Sequence, residues 1–211
     1  MGVPHGHAVA MDVPLKTCMH LKRALASILK VCAEPLRCHG MDSGRPAGAA
    51  ACAMVRDMRV FSSYAELAAC KGQQVAVSDW QTITQEQVNL FAQATGDHQW
   101  IHVDAERAAK GPFGTTIAHG FLTLSLLPKM MGQAVRIEGV AMGVNYGLNK
   151  VRFTSPVPVG SQLRARITLL EAQPLEQQGL QIGWHVEIER QGQDKPVCVA
   201  ETIARVYGGR P

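Results

Sequence analysis

No aromatic residue precedes Phe61 in this 211-residue chain; all eleven lie at Phe61 or beyond. Aromatic side chains bury large areas and anchor cores. Residues 1–61 are instead rich in Ala, Gly, Pro and Arg, so they are expected to form a poorly ordered or non-domain extension, with the folded domain at 62–211. One amphipathic stretch there, Leu15 to Val31, has Leu21, Leu25, Ile28 and Leu29 at helical spacing and predicts a marginal helix. The composition change before Phe61 also fits a translation start at Met58.

Other features are missing as well. No apolar run approaches about eighteen residues, so no membrane-spanning helix is expected. No CxxC or CxxH spacing occurs, so structural zinc and redox motifs are not expected. Four cysteines (Cys18, Cys32, Cys38, Cys52) fall in the extension. Cys70 and Cys198 read as reduced thiols of a cytoplasmic protein. The excess of positive charge is local too. Residues 1–61 carry eight basic and four acidic side chains, which is the whole formal charge of +4; the remainder balances. The folded part therefore gives no reason to expect a nucleic-acid partner.

What is present becomes regular from Tyr64. Tyr64 to Ala69 reads as a short helix and Gln74 to Ile83 as a strand. Thr84-Gln-Glu-Gln87 is a capping box, and the helix behind it places Val88, Phe91 and Ala92 on one face until Gly96 ends it. Asp97 to His102 is a polar loop. Asp104 caps a helix over Ala105 to Ala109. Ala118 to Met131 is apolar nearly all round, as expected of a long buried helix, with Pro128 set to kink or end it.

The last third reads as strands. Val140 to Tyr146 and Asn149 to Phe153 flank Gly147. Leu163 to Leu169 and Ile182 to Ile188 alternate with period two, placing Trp184 in the core and His185 on the polar face. Val197 to Tyr207 is apolar on both faces in places and should be central. The sum is an α+β domain with a curved antiparallel sheet wrapped around a long buried helix.

The chemistry concentrates in two places. Asp97 and His102 put a carboxylate and an imidazole on one loop, able to hold one water and exchange protons with it. Gly120 sits at the start of the buried helix, where an exposed N–H can polarise a carbonyl. Taken singly, each has a plainer reading. Asp after Gly is common in turns, His102 could serve the backbone alone, His119 reads as a structural residue at the helix start, and Gly120 could be chosen for backbone shape.

Together, Gly96-Asp-His-Gln-Trp-Ile-His102, Ala118-His-Gly120 and Arg152-Phe-Thr-Ser-Pro-Val157 resemble the MaoC-like hydratases, which include the (R)-specific enoyl-CoA hydratases. The resemblance spans roughly Tyr64 to Tyr207. Gly96 to Trp100 with Gly111-Pro-Phe-Gly114 is most similar to the nodulation protein N-like subgroup. It implies a single hot-dog domain that hydrates trans-2-enoyl-CoA to (R)-3-hydroxyacyl-CoA or runs the reverse. It also implies a homodimer with pockets at the interface. No metal or other cofactor is implied; CoA arrives with the substrate.

The implied catalytic pair is Asp97 and His102. Asp97 would act as base; His102 would help hold the water and donate a proton at C2. Only His102, not His98, fits the family spacing. Gly120 would bind the thioester oxygen, and Trp100, Phe121 and Ser125 would contact the acyl group. Many relatives have Asn-Pro where this chain has Gln99-Trp100, so Trp100 either walls the acyl pocket and tunes chain length or packs outward against a neighbouring helix. A hot-dog thioesterase and a non-catalytic acyl-CoA-binding protein are the rival functions.

Overall fold

The computed structural model describes residues 58–208, all within the compact unit Cys52–Pro211. The helix expected over Leu15 to Val31 lies outside the described residues.

Strand β1 (Arg59–Phe61) and helix α1 (Tyr64–Ala68) open the described chain. Short strands β2 (Gln74–Val77) and β3 (Gln81–Thr82) follow. Gln74 to Ile83 is thus not one strand. Ser78 N–H still donates to Ala165 O, but the return bond from Ala165 N–H goes to the buried Ser78 hydroxyl, which itself donates to Asp79 O. A side chain that competes with the ladder interrupts it.

Helix α2 (Gln85–Thr95) has both bonds of its capping box, Gln87 N–H to Thr84 Oγ1 and Thr84 N–H to Gln87 Oε1. Gly96 closes it at φ 77°, a left-handed conformation that favours glycine. Next come α3 (Trp100–Val103) and α4 (Ala105–Ala109), the latter capped by Asp104.

The expected helix over Ala118 to Met131 is two segments, α5 (Gly120–Ser125) and α6 (Leu127–Ala134), broken at Leu126. Pro128 lies in the first turn of α6. It has no N–H to continue the ladder from α5, yet its fixed φ suits a helix start. The rod buries Leu122, Leu127, Met130 and Ala134, but Phe121 is 67% exposed.

The sheet holds the core. Strands β4 (Val135–Ile137), β5 (Met142–Phe153), β6 (Gln162–Leu175), β7 (Gly179–Arg190) and β8 (Cys198–Tyr207) complete the chain. The main order is β2-β6-β7-β8-β5, with β3 also on β6; β1 pairs separately and in parallel with β4. Cross-strand partners Ala165↔Ile188, Ile167↔Val186 and Leu169↔Trp184 share the buried face. Helix α6 packs on β6 and α5 on β8. Strand β8 is interior, as its apolar faces suggest. Strand β5 runs unbroken past Gly147, because register shifts at Asn145/Gly147 and Leu148/Lys150 absorb the irregularity. It forms a sheet edge, and Met142, Val144, Tyr146, Leu148 and Phe153 along it are exposed.

Candidate active site

Three segments meet beside the start of α5. The left-handed Gly96 turns the chain out of α2 so that Asp97 begins the loop into α3. Helix α3 turns His102 inward, to 6% exposure. The third segment, Thr116 to Gly120, is held on both sides: Ile117 N–H donates to Ile101 O (3.0 Å) and Ala118 N–H to Val157 O (2.8 Å).

These partners define the state of His102. Its Nδ1 lies 2.7 Å from the Ile117 carbonyl, which can only accept, so Nδ1 carries the proton and Nε2 the lone pair. Burial pushes the His102 pKa below its ordinary value; the bond to Ile117 opposes that, His119 adds to it, and Asp97 opposes it. The neutral imidazole is therefore the resting form. The backbone of His102 is clamped as well. Gln85 Nε2 donates to His102 O (2.8 Å), while Gln85 Oε1 accepts from the buried Thr116 hydroxyl (2.6 Å).

The Asp97 carboxylate is 54% exposed and lies 4.0 Å from His119 Nε2. Asp97, His102 and His119 each bring one ligand-type atom within 4.8 Å of the others. That proximity suits a divalent ion, but the ring geometry does not. The two imidazoles stack at 3.8 Å and 27°, so their in-plane lone pairs run nearly side by side, whereas an ion about 2 Å from each nitrogen lies close to both ring planes.

A cleft of about 310 Å³ opens beside His102. His102, Ala118, Gly120, Thr123, Phe153 and Thr154 line it. Gly120, the first residue of α5, has an N–H that no preceding turn can accept. There is no room for a side chain: a Cβ on Gly120 would sit 2.8 Å from the Phe153 ring.

Of the residues singled out from the sequence, His102 and Gly120 line this cleft, and Asp97 brings its carboxylate within 4.8 Å of a His102 ring nitrogen. Trp100 does not line the cleft. Its ring packs against Gly111, where an added Cβ would lie 2.9 Å from Cη2 and Cζ3, and the Arg107 guanidinium lies over it at 4.5 Å. Phe121 faces outward and meets Phe153 edge-on at 5.6 Å. Ser125 bonds back to Phe121 O and lines a separate, mostly apolar cavity of about 300 Å³ between α6 and β5. Phe153 and Thr154 stood in the Arg152–Val157 motif without an assigned role, and the Gln85–Thr116 clamp carried no sequence signal. They reach the site only through strand pairing and contacts distant in the chain.

Residues 66–190 match the sequence pattern of the MaoC like domain. The chain belongs to this family. The 3-hydroxyacyl-thioester dehydratase Z of Mycobacterium tuberculosis (strain ATCC 25618 / H37Rv) is 59% identical over 148 residues, 70% of this chain and 98% of that protein. Nodulation protein N of Rhizobium leguminosarum bv. viciae is 46% identical over 143 residues, 67% of this chain and 89% of that protein. Among solved structures, the unliganded R-hydratase PhaJ1 from Pseudomonas aeruginosa matches with TM-score 0.53 and 26% identity, over 72% of this chain and 88% of that one. The MaoC-like domain thus has the hot-dog fold that the motifs implied. No helix among the described residues is long and apolar enough to cross a membrane.

Proposed function

We propose that this MaoC-like domain is a hydratase/dehydratase of acyl-CoA thioesters, interconverting trans-2-enoyl-CoA and (R)-3-hydroxyacyl-CoA. The observation that carries the reading is the convergence of Asp97 and a neutral His102, its Nε2 lone pair free, beside the Gly120 N–H.

The chemistry follows from the tautomer. Asp97 and His102 Nε2 are both acceptors, so one water can give a hydrogen to each. The sequence alone suggests Asp97 as base and His102 as donor to C2. Neutral His102 has no proton on Nε2, so it donates only after accepting one. As the water oxygen bonds to C3, Nε2 takes one water proton and the C2–C3 π electrons shift onto the thioester oxygen. The imidazolium then gives that proton to C2, the carbonyl re-forms, and His102 is neutral again. Asp97 aims the water through its second hydrogen and stabilises the transient imidazolium. Burial lowers the His102 pKa, so the ring is neutral and ready to accept that proton, and the imidazolium gives it up readily. The Gly120 N–H meets the charge building on the thioester oxygen; losing such a donor typically costs about 3 kcal/mol.

The likeness to a 3-hydroxyacyl-thioester dehydratase supports the same substrate class. The apolar, exposed β5 edge supports a homodimer, since such an edge in water invites pairing. The free Cys70 and Cys198 suit a cytoplasmic enzyme.

The test is loss of enoyl absorbance from crotonyl-CoA, with free thiol followed in parallel. Hydration without thiol release is expected. Thiol release would make the protein a thioesterase, and binding with neither signal would make it a non-catalytic acyl-CoA-binding protein. His102→Ala should lower turnover about 10²–10⁴-fold through loss of the proton carrier, and Asp97→Asn about 10²-fold through misplacing the water, both while remaining folded. The double variant should lose far less than the product, because both act on one water. A folded single variant retaining half of the turnover would refute the assignment.

A further inference from the structure

We propose that His119 is a positioning residue that holds Asp97 and His102 in register; the inference rests on the catalytic roles given to that pair above. His119 is 3% exposed and performs no step in the chemistry. Its Nε2 lies 3.0 Å from the main-chain carbonyl of Asp97. A carbonyl only accepts, so Nε2 carries the proton, the opposite tautomer to that of His102. Its ring backs the His102 imidazole at 3.8 Å, and Phe91 packs on it at 5.0 Å. One side chain therefore touches both members of the pair.

Asp97 needs such a hold. It follows a left-handed glycine and its carboxylate is more than half exposed. The other bond at its backbone is a long one, 3.4 Å from its N–H to Thr95 Oγ1. The bond from His119 thus ties the loop to the start of α5, the same point that sets Gly120. Burying this imidazole also has a cost: His119 Nδ1 is buried with no hydrogen-bond partner. An unsatisfied buried polar atom is destabilising. A phenylalanine would fill the same space without it. A buried histidine at this place is intelligible if its Nε2–H is needed.

Two variants separate the donor from the ring. His119→Phe keeps a stacked ring and removes the N–H. His119→Gln places an N–H at the reach of Nε2 and removes the ring. With crotonyl-CoA, His119→Phe is expected to lower kcat by about 10–100-fold with KM within about threefold, since misplacing a reacting group by an ångström can cost about 10² in rate. His119→Gln should recover kcat to within about fivefold of wild type, which a purely space-filling role would not produce. A folded His119→Phe with at least half of wild-type kcat, or a His119→Gln no better than His119→Phe, would overturn the proposal. Should His119→Phe not fold, imidazole ¹⁵N spectra of the wild-type protein decide: protonated Nε2 on His119 with protonated Nδ1 on His102 supports it, and the reverse tautomer at His119 sinks it. The same spectra separate the two claims. Wild-type protein without hydratase turnover would reject the function, while the tautomer still tests the contact between His119 and Asp97.

Discussion

Trp100→Ala should destabilise the MaoC-like domain and leave its chain-length preference unchanged. The indole is half-buried between Gly111 and the Arg107 guanidinium and does not line the cleft containing His102. Removing a fully buried Trp costs about 3–5 kcal/mol. Half-burial reduces that to about 2, and the lost cation–π contact adds about 0.5–1. A total near 2–3 kcal/mol lowers Tm by about 5–10 °C for a domain of this size. Gly111 supplies an internal check. In the wild-type protein, Gly111→Ala would put a Cβ 2.9 Å from two ring carbons, where ordinary contact begins at 3.4 Å. That overlap should cost about 1–3 kcal/mol. With Trp100 already removed only a 3.3 Å approach to Ala108 O remains, and the gain of about 0.4–1 kcal/mol through the unfolded chain should leave the same change near neutral. The coupling in the four-protein cycle is therefore expected at about 1–3 kcal/mol. Thermal and urea unfolding followed by circular dichroism measure it, and kcat/KM for short and long enoyl-CoAs measures the preference. An unchanged Tm, additive mutations and a gain for longer chains would refute the outward packing and restore Trp100 to the acyl pocket.

Three further outcomes are expected. Burial holds the His102 pKa below 6.5, so below pH 6.5 the unfolded chain binds the proton more readily than the folded one. His102 should then subtract stability as pH falls from 6.5 through its lowered pKa; urea titrations between pH 5 and 7 should show this slope, and it should flatten in His102→Phe if the assignment holds. Burial pushes the Cys198 thiol up to about 11, so peptide mapping after iodoacetamide at pH 8 should find Cys198 unmodified until denaturant is added, and early labelling would contradict its burial. Deleting residues 1–57 should leave a folded, active enzyme, because the described core starts with the buried Phe61 of β1; an insoluble or inactive truncation would move the domain boundary toward the N-terminus.

Local chemistry was legible in the sequence. The Thr84–Gln87 box, the Gly96 stop and the Asp104 cap each involve residues a few positions apart, and each forms as expected. Period-two alternation located β6 and β7 because one of their faces is buried against helices. Strand β5 offered no such guide. Its apolar residues remain exposed, so inward and outward positions do not differ. The break at Leu126 was displaced from its cause, since Pro128 acts on the turn before it. Ser78 looked like any polar strand residue until Ala165, far along the chain, became its partner.

The site shows where this legibility stops. Spacing along the chain brought Asp97, His102 and Gly120 forward as a group, because residue types that handle protons and oxyanions stood near a helix start. It could not assign the protons. His102 is fixed by the Ile117 carbonyl and His119 by the Asp97 carbonyl, so each imidazole takes its tautomer from a different crossing of the backbone. Had the Ile117 carbonyl pointed elsewhere, Nε2 of His102 could have held the proton and the ring would have met water as a donor. Two donors or two acceptors around one water lead to different chemistry with the same residues. The identity of the proposed catalytic pair is therefore a property of the local sequence. The direction in which its proton moves is a property of the fold, set by the Ile117 main-chain oxygen, which no side-chain pattern records.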